Sequence, residues 1–303
     1  MRKRISSVLI LILTVIFLCS CSGLSKNSTF SIRFIDVGQG DAALVECDGH
    51  YMLIDGGDKK HGENVYNVLE EEKVRHLDIL AISHFHIDHY AGLITALANV
   101  SKIDLAISNT DSYDNGAGID EEEEEENAKT EGKIFSDFTH ELILADAAIK
   151  VPHTGDKYEL GSATVEVVDV SSSQNNDSLV LLITYGKTKF LFTGDIEENA
   201  QKRIYESYQD KDGEDKGYKL DLIKMPHHGS YTGSLYNFLR TFMPDYVVIS
   251  VGRKNRYDHP DQETMDLLTN QKSDWQPKVY RTDQNGDVIV KSNGKELLVQ
   301  TSK

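Results

Sequence analysis

The sequence Ser83-His84-Phe85-His86-Ile87-Asp88-His89 places three histidines and one carboxylate within six residues. An apolar run at residues 77–82, typical of a buried strand, precedes it, and a helical pattern follows it. A loop at the end of a strand can direct all four side chains into one cavity. Imidazole and carboxylate are ligands for Zn²⁺, Mn²⁺ and similar ions. The spacing therefore predicts a metal site on a loop between a strand and a helix.

Other segments also place glycine, histidine or acidic residues beside short apolar runs. They are Asp36-Val37-Gly38-Gln39-Gly40-Asp41, Leu53-Ile54-Asp55-Gly56-Gly57, Asn175-Asn176-Asp177-Ser178-Leu179, Phe192-Thr193-Gly194-Asp195, Lys224-Met225-Pro226-His227-His228-Gly229-Ser230 and Asp258-His259-Pro260. Together with the histidine stretch, they resemble the metallo-β-lactamase superfamily over residues 30–265. Within it, they are similar to the ComEC-type metallohydrolase domain, which occurs on competence DNA-uptake channels and as free secreted proteins.

The resemblance implies an α/β fold, an αββα four-layer sandwich with two divalent metal ions, Zn or Mn, at one edge of its two sheets. It implies six metal ligands: His84 and His86 for the first ion, Asp88, His89 and His227 for the second, and Asp195 between them. Because His228 directly follows His227, the choice of ligand within this pair stays open.

One position departs from the broad family. Where a third histidine for the first ion is usual, residues 174–178 contain none. His153 comes before an extra strand, so we favour a surface role for it. The first ion is then expected to have fewer protein ligands and more water, which weakens its binding or favours Mn²⁺ over Zn²⁺.

The activity that the resemblance implies is phosphodiester hydrolysis, with DNA as the substrate. Two neighbouring metal ions lower the pKa of a shared water and neutralise phosphoryl oxygens. The catalytic candidates are Asp88, which orients the attacking water, Asp41, which holds a ligand histidine, and His228 and His259, which contact phosphate or protonate the leaving oxygen. Ser230, Asn176 and Ser178 are the further candidates for phosphate contacts.

Three other functions are weighed against this one. A phosphodiesterase acting on a cell-envelope group such as phosphorylcholine uses the same site. Hydrolysis of β-lactams is disfavoured by the missing third histidine. A binding lipoprotein with a degenerate site is disfavoured by the intact histidine stretch and Asp195. The sequence implies no protein partner, and it leaves the oligomeric state open.

The N-terminus is typical of a secreted bacterial lipoprotein. A basic start at residues 1–4 precedes an apolar run at residues 8–18, which is shorter than the roughly 20 residues that span a bilayer. Leu18-Cys19-Ser20-Cys21 resembles a lipoprotein cleavage box. We expect a signal peptide at residues 1–20, a lipid on Cys21, a tether at 21–29 and attachment to the outer face of the membrane. An uncleaved anchor is the alternative.

Composition constrains the partners. The chain of 303 residues contains 32 Lys and Arg against 49 Asp and Glu, a formal net charge of −17. This excess argues against a broad basic surface for nucleic acid. Nine of the acids lie between residues 111 and 126, in a predicted disordered acidic loop at residues 111–130, so the excess is partly local. Lys224, Arg253, Lys254 and Arg256 form a candidate phosphate-contacting patch.

The apolar patterns predict one domain over residues 30–303 in which strands and helices interleave. Strands are predicted at 30–37, 42–47, 51–54, 77–82, 103–108, 164–170, 179–185, 190–193, 220–225 and 246–251, and helices at 64–74, 135–148 and 235–242. A C-terminal antiparallel meander is predicted at 279–281, 288–290 and 297–299, with Asn-Gly turns. The three cysteines cannot form a disulfide framework, and Cys47 is expected to be a core residue.

Overall fold

The computed structural model describes residues 30–110, 121–170, 178–209, 217–270 and 274–303. Within these ranges the strands are β1 (Phe30–Phe34), β2 (Ala43–Cys47), β3 (His50–Ile54), β4 (His76–Ile82), β5 (Lys102–Ser108), β6 (Ala148–Lys150), β7 (Lys157–Leu160), β8 (Ala163–Asp169), β9 (Val180–Tyr185), β10 (Thr188–Phe192), β11 (Leu222–Lys224), β12 (Tyr246–Ile249), β13 (Lys278–Arg281), β14 (Val288–Ser292) and β15 (Leu297–Thr301). The helices are α1 (Gly62–Glu71), α2 (Ile87–Tyr90), α3 (Leu93–Ala96), α4 (Glu121–Leu144), α5 (Glu198–Ser207), α6 (Tyr236–Phe242), α7 (Gln262–Thr269) and α8 (Thr282–Asn285), with 3₁₀ turns at Leu97–Asn99 and Pro226–Gly229.

The strands form two mixed sheets. The first has the order β15-β14-β1-β2-β3-β4-β5-β6, and the second has the order β13-β12-β11-β10-β9-β8-β7. In β1 the burial alternates residue by residue, because its inward side chains meet the second sheet. Phe30 stacks on Phe190 with ring centroids 5.0 Å apart, and Phe34 stacks on Phe192 at 5.5 Å. These contacts form the apolar layer between the sheets.

Each sheet buries its other face under helices. Val65 of α1, Leu93 of α3 and Phe138 of α4 pack on the first sheet. Ile204 of α5 and Phe238 of α6 pack on the second. The four layers confirm the predicted αββα sandwich. No helix in the described ranges combines the length and the apolar character needed to cross a bilayer.

The predicted C-terminal meander is only partly correct. β14 and β15 do form an antiparallel pair through the turn at Asn293-Gly294. However, β13 runs parallel to β12 in the second sheet, and α8 carries the chain to the first sheet. The buried Thr282 holds this crossing, since its hydroxyl donates to the Val251 carbonyl and accepts from the Val251 N–H. The Asn285-Gly286 pair therefore ends a helical turn instead of a hairpin.

The acidic segment also differs from the prediction. Helix α4 begins at Glu121, so residues 121–130 are helical instead of part of a loop, whereas residues 111–120 lie outside the described ranges. Glutamate is a good helix former, and negative charge is favourable at a helix N-terminus. The helix ends at Leu144, before the predicted end at residue 148, because Ala148 already belongs to β6. The predicted signal peptide, Cys21 and the tether lie outside the described residues. Cys47 is a buried free thiol, as expected.

Candidate metal centre

The predicted site residues follow strands that end at one edge of the sandwich. Asp55 follows β3 and the histidine stretch follows β4, which runs parallel to β3. Asp195 follows β10, and the turn Pro226–Gly229 follows the parallel strand β11. Because parallel neighbours end at the same edge of a sheet, each sheet brings two of these loops together. The site therefore lies where the carboxyl ends of both sheets meet.

Four side chains converge there. The Nε2 of His89 lies 3.2 Å from Asp195 Oδ2, and the Nε2 of His228 lies 3.5 Å from the same oxygen. His228 Nε2 is also 3.4 Å from Asp88 Oδ2. Two imidazoles and two carboxylates provide the four nitrogen and oxygen donors that a tetrahedral Zn²⁺ ion requires. Asp88, His89, His228 and Asp195 could thus hold one divalent ion.

Of the two adjacent histidines whose ligand role the sequence leaves open, His228 lies among the other candidate ligands and His227 does not. His228 is 2% exposed and lies in the cluster, whereas the Nδ1 of His227 lies 3.3 Å from a Glu197 carboxylate oxygen at the rim. Both histidines have left-handed backbone angles, with φ of 47° and 52°. Such a turn sends neighbouring side chains in different directions, and the dipeptide alone does not show which one points inward.

His84 lies next to this cluster, beside Asp195 Oδ2. Its Nε2 lies 3.9 Å from Asp195 Oδ2, and His84, His89 and Asp195 form a second buried cluster. The ring of His86 is 4.3 Å from that of His84, but His86 is more exposed and takes part in no cluster among the described residues. His153 is exposed, in agreement with the surface role that we favoured.

Unpartnered buried atoms test whether these residues fit a metal ion. Among the described residues, His84 Nε2, His228 Nε2 and Asp195 Oδ1 are buried without a hydrogen-bond partner. A buried polar atom without a partner costs about 1–3 kcal/mol, so native proteins rarely leave several of them in one place. Divalent cations bound beside Asp195 Oδ2 would satisfy the two unpartnered Nε2 atoms, which lie 3.9 Å and 3.5 Å from that oxygen. The donor set therefore fits the implied metal.

The Nδ1 atoms of His89 and His228, on the opposite side of each ring from Nε2, have hydrogen-bond partners in the protein. The Nδ1 of His89 lies 3.0 Å from an Asp55 carboxylate oxygen, and Asp55 also accepts the N–H and the hydroxyl of Ser83, each at 2.7 Å. The Nδ1 of His228 donates to the Ser250 carbonyl at 2.9 Å. These bonds leave Nε2 of each ring free to face a metal ion.

Two serines predicted to contact phosphate are instead part of the support. Ser178 is 1% exposed, and its hydroxyl accepts the N–H of Asp195 at 2.9 Å. Ser230 is also buried, and its hydroxyl lies 3.0 Å from that of Thr232 in the same turn. Their hydroxyls hold the loops that carry Asp195 and His228, so neither faces a substrate. The third candidate, Asn176, lies outside the described residues.

Lys224 has a role that the sequence did not reveal. We predicted a phosphate-contacting residue, but Lys224 is 3% exposed and forms an ion pair with Asp41. Its ammonium group also donates to the Gly194 carbonyl at 3.2 Å and lies 3.8 Å from Asp195 Oδ1. Asp41 in turn lies 3.5 Å from the Nδ1 of His228. The pair thus supports Asp195 and His228 on the side away from solvent. In the sequence, the position of Lys224 within an apolar run was the feature that could have indicated its burial.

The histidines of the site differ in the direction of their pKa shifts. Burial lowers the pKa of His84 well below its ordinary value, which keeps this ring neutral. Burial acts in the same direction on His89 and His228, but nearby carboxylates, Asp195 foremost, outweigh it. They raise the pKa of His89 well above its ordinary value and that of His228 to about 10. Metal binding must therefore displace protons from these rings.

Lys224 stays charged despite its burial. Desolvation alone would lower the pKa of its ammonium group, but Asp41 and Asp195 outweigh this and raise it. The carboxyl of Asp195 has its pKa held well below the usual range, because the charges of His89 and His228 outweigh its burial. The site accordingly combines ionised carboxylates with an internal cation.

His259, the last predicted catalytic residue, lies at the rim and not in the cluster. Its ring centroid is 5.7 Å from that of His227, and its Nδ1 is buried without a hydrogen-bond partner. Burial lowers the pKa of His259, so the ring is mostly neutral near pH 7. The two rim histidines stand between the metal ligands and solvent.

The chain is similar to known proteins in both sequence and fold. A family model described as the metallo-beta-lactamase superfamily matches residues 35–253. ComE operon protein 3 of Bacillus subtilis (strain 168) is 26% identical over 284 residues, which is 86% of this chain and 33% of that protein. Recombination protein 2 of Haemophilus influenzae is 26% identical over 301 residues, 95% of this chain and 32% of that protein. The chain thus spans about a third of the length of these relatives.

Among solved structures, the metallo-beta-lactamase fold protein YhfI from Bacillus subtilis superposes with a TM-score of 0.51 and 11% identity. The match covers 87% of this chain and 100% of YhfI. At this identity the similarity concerns the fold alone.

Proposed function

Since the chain belongs to the metallo-β-lactamase superfamily and resembles ComEC-type competence proteins, we propose that it is a metal-dependent phosphodiesterase that cleaves DNA. The observation that carries the proposal is the cluster of Asp88, His89, His228 and Asp195, with its unpartnered buried atoms. The name of one of these relatives, Recombination protein 2, supports DNA as the substrate.

The residues of the chain divide the work of such a reaction. A divalent ion held in the cluster would polarise a phosphoryl oxygen and lower the pKa of a water molecule. Asp88 is 26% exposed, so its carboxylate can both hold a metal ion and accept a hydrogen bond from an attacking water. Lys224 and Asp41 keep Asp195 and His228 in place. His227 at the rim can contact a phosphate or protonate the leaving oxygen, and His259 beside it can donate a hydrogen bond to a phosphate.

Activity measurements on the purified full-length chain test the proposal. With Mn²⁺ or Zn²⁺ present, we expect hydrolysis of a small chromogenic phosphodiester and of DNA, and none of a β-lactam. His228→Ala should remove the activity, and His153→Ala is the matched control, since His153 is an exposed histidine outside the cluster. Wild type without metal-dependent turnover of any phosphodiester, or His228→Ala as active as wild type, would contradict the proposal. Hydrolysis of the small diester without cleavage of DNA would favour a cell-envelope substrate.

The proposed location is the outer face of the bacterial membrane, through a lipid on Cys21. Fractionation of cells that express Cys21→Ser tests it. This variant should leave the membrane fraction, whereas Cys19→Ser, which keeps the lipidation site, should remain there. Equal membrane retention of both variants would contradict the lipid anchor.

A further inference from the structure

A second surface feature borders the metal centre. The segment at residues 251–261 follows β12 and packs against two loops of the site. The N–H of Gly252 donates to the Gln39 side chain at 3.2 Å, and the N–H of Asp261 donates to the Gly229 carbonyl at 3.0 Å. This segment is therefore part of the mouth of the site.

A row of rings connects the segment to the metal ligands. Tyr257 lies nearly parallel to His259, with centroids 5.7 Å apart and an angle of 18° between the planes. His259 is 5.7 Å from His227, and His227 is 6.2 Å from His228. Tyr257 is 49% exposed, whereas His228 is 2% exposed. The row leads from solvent to the metal cluster.

The same segment carries three cations at residues 253–256, followed by two carboxylates, Asp258 and Asp261. Arg253, Lys254 and Arg256 are exposed, and none of the three pairs with a carboxylate in the part of the chain that the structure describes. The guanidinium carbon of Arg256 lies 4.6 Å from the centroid of the Tyr257 ring. In a chain with a net charge of −17, unpaired cations beside an exposed ring are suited to an anionic ligand with flat apolar parts.

A second exposed ring lies close by. Tyr231 is 66% exposed, and its N–H donates to Asp261 at 2.7 Å. The carboxylate of Asp261 also lies 3.6 Å from the Nδ1 of His259. Asp261 thus connects the backbone of Tyr231 to the ring row.

We propose that Tyr257, Arg256 and Tyr231 form a subsite for unpaired nucleotides that flank the scissile phosphate, with Arg253 and Lys254 contacting the backbone. Exposed aromatic rings beside cations are typical of proteins that bind single strands, where bases stack on the rings and cations hold phosphates. In a duplex the base faces are already stacked on each other, so this surface discriminates in favour of single strands. The proposal rests on the proposed phosphodiesterase function for its biological meaning, but its binding test does not require turnover.

Fluorescence anisotropy with a labelled pyrimidine oligonucleotide tests the subsite on the full-length chain. EDTA removes divalent ions, so binding is read without cleavage. We expect the single strand to bind more tightly than the same sequence in a duplex. Tyr257→Leu should weaken binding about tenfold, and Tyr257→Phe should restore it, because the ring is kept. Arg256→Gln should weaken binding and flatten its salt dependence.

Lys291→Gln is the matched control for charge, since Lys291 is exposed on β14 opposite Ser31, at the far end of β1 from the site. It should bind like wild type. Equal binding of Tyr257→Leu and wild type, or equal affinity for duplex and single strand, would overturn the subsite. The subsite would also be overturned if Tyr257→Leu weakened binding to anionic phospholipid vesicles and not binding to the oligonucleotide, because the surface would then face a membrane.

Turnover separates this inference from the proposed function. If Tyr257→Leu lowers kcat/KM for the oligonucleotide and keeps that for a small phosphodiester, both proposals stand. If wild type hydrolyses the small diester but Tyr257→Leu cleaves the oligonucleotide as well as wild type, only the subsite fails. If wild type binds single strands through Tyr257 and hydrolyses no diester, only the enzymatic proposal fails.

Discussion

At the scale of single residues, the metal cluster depends on which of two adjacent histidines turns inward. His228 reaches Asp88 and Asp195, and the Ser250 carbonyl fixes its ring, whereas His227 lies next to Glu197 at the rim. The left-handed backbone of both residues separates their side chains. The two histidines should therefore contribute very differently to metal affinity.

Loss of a residue that hydrogen-bonds to a metal ligand lowers metal affinity roughly 10–100-fold. His228→Ala removes a ligand itself, so it should lower the affinity for Zn²⁺ by more than that. His227→Ala should leave the affinity close to that of wild type, because His227 is outside the cluster. Isothermal titration of the metal-free proteins measures both values. A larger loss of Zn²⁺ affinity in His227→Ala than in His228→Ala would show that His227 is the ligand.

The buried ion pair of Lys224 and Asp41 gives a prediction about stability. Lys224→Met leaves the Asp41 carboxylate buried without its cation, and breaking such a pair costs about 3–5 kcal/mol. The double variant Lys224→Met/Asp41→Asn should be more stable than Lys224→Met, since no lone charge remains. Chemical denaturation of metal-free protein measures the unfolding free energies.

Lys102→Met is the control for this prediction. Lys102 also pairs with a carboxylate, that of Asp146, but at the surface, so its loss should change stability little. If the double variant is less stable than Lys224→Met, the pair does not act as a unit.

At the scale of elements, the loop at residues 38–41 packs against the loop that carries Asp88. Gly40 has φ of 137°, and a Cβ there would lie 2.2 Å from the Asp88 carbonyl oxygen. Gly40→Ala should therefore displace Asp88 and weaken metal binding. Gly49 also has a positive φ, 81°, but a Cβ there would meet no atom within 4 Å. Gly49→Ala should therefore lower the stability somewhat and leave the metal affinity unchanged. Equal metal affinity in both variants would contradict the role of this contact.

The pairing of β3 with β4 includes a pH-dependent contact. The Nδ1 of His50 lies 2.6 Å from Asp78, whose carboxylate raises the pKa of His50. Burial opposes ionisation of Asp78, but the His50 ring and the Tyr51 N–H outweigh it and lower the pKa of Asp78. The stabilisation from His50 is thus complete below about pH 6.5 and is lost as the pH rises through its raised pKa. That from Asp78 is present above about pH 4 and is lost on acidification.

His50→Gln should therefore destabilise the protein more at pH 5.5 than at pH 8.5. The difference should stay below about 1 kcal/mol, because the His50 side chain is about half exposed and solvent screens its charge. Thermal denaturation at the two pH values measures it, with His153→Gln as the control. A difference of opposite sign would show that His50 stabilises the fold in its neutral form.

At the scale of the whole molecule, the metal cluster joins the two sheets. Asp88 and His89 come from the first sheet, and Asp195 and His228 come from the second. At free metal about 100 times Kd, binding adds about 2.7 kcal/mol to the stability. For a domain of this size, that corresponds to a rise in Tm of about 5–10 °C.

Differential scanning calorimetry with Zn²⁺ or with EDTA checks this rise. The double variant Asp88→Asn/His228→Ala should show no rise, since the shared cluster is lost. An equal rise in wild type and variant would place the stabilising ion elsewhere in the molecule.

Local patterns in the sequence were sufficient for the fold class and for most of the cluster. The apolar strands, the histidine stretch and Asp195 could be identified because ligand spacing and strand alternation are local properties. Helix α5, helix α7 and strands β6 and β7 were not predicted, since their short or polar patterns acquire a buried face only against the sheets. The crossing of α8 between the sheets likewise depends on the distant partner of Thr282.

By itself, the sequence determined that the chain is a member of the metallo-β-lactamase superfamily with an αββα fold and a His- and Asp-rich site, because its motifs occur in a fixed order along the chain. Only the tertiary structure decided that His228 is in the cluster, that Ser178 supports Asp195 and that Lys224 is buried beside Asp41. Each of these outcomes depends on a backbone turn or on residues far apart in sequence. A residue's type shows which chemistry it can perform, whereas its packed neighbours decide whether it holds a metal, a loop or a substrate.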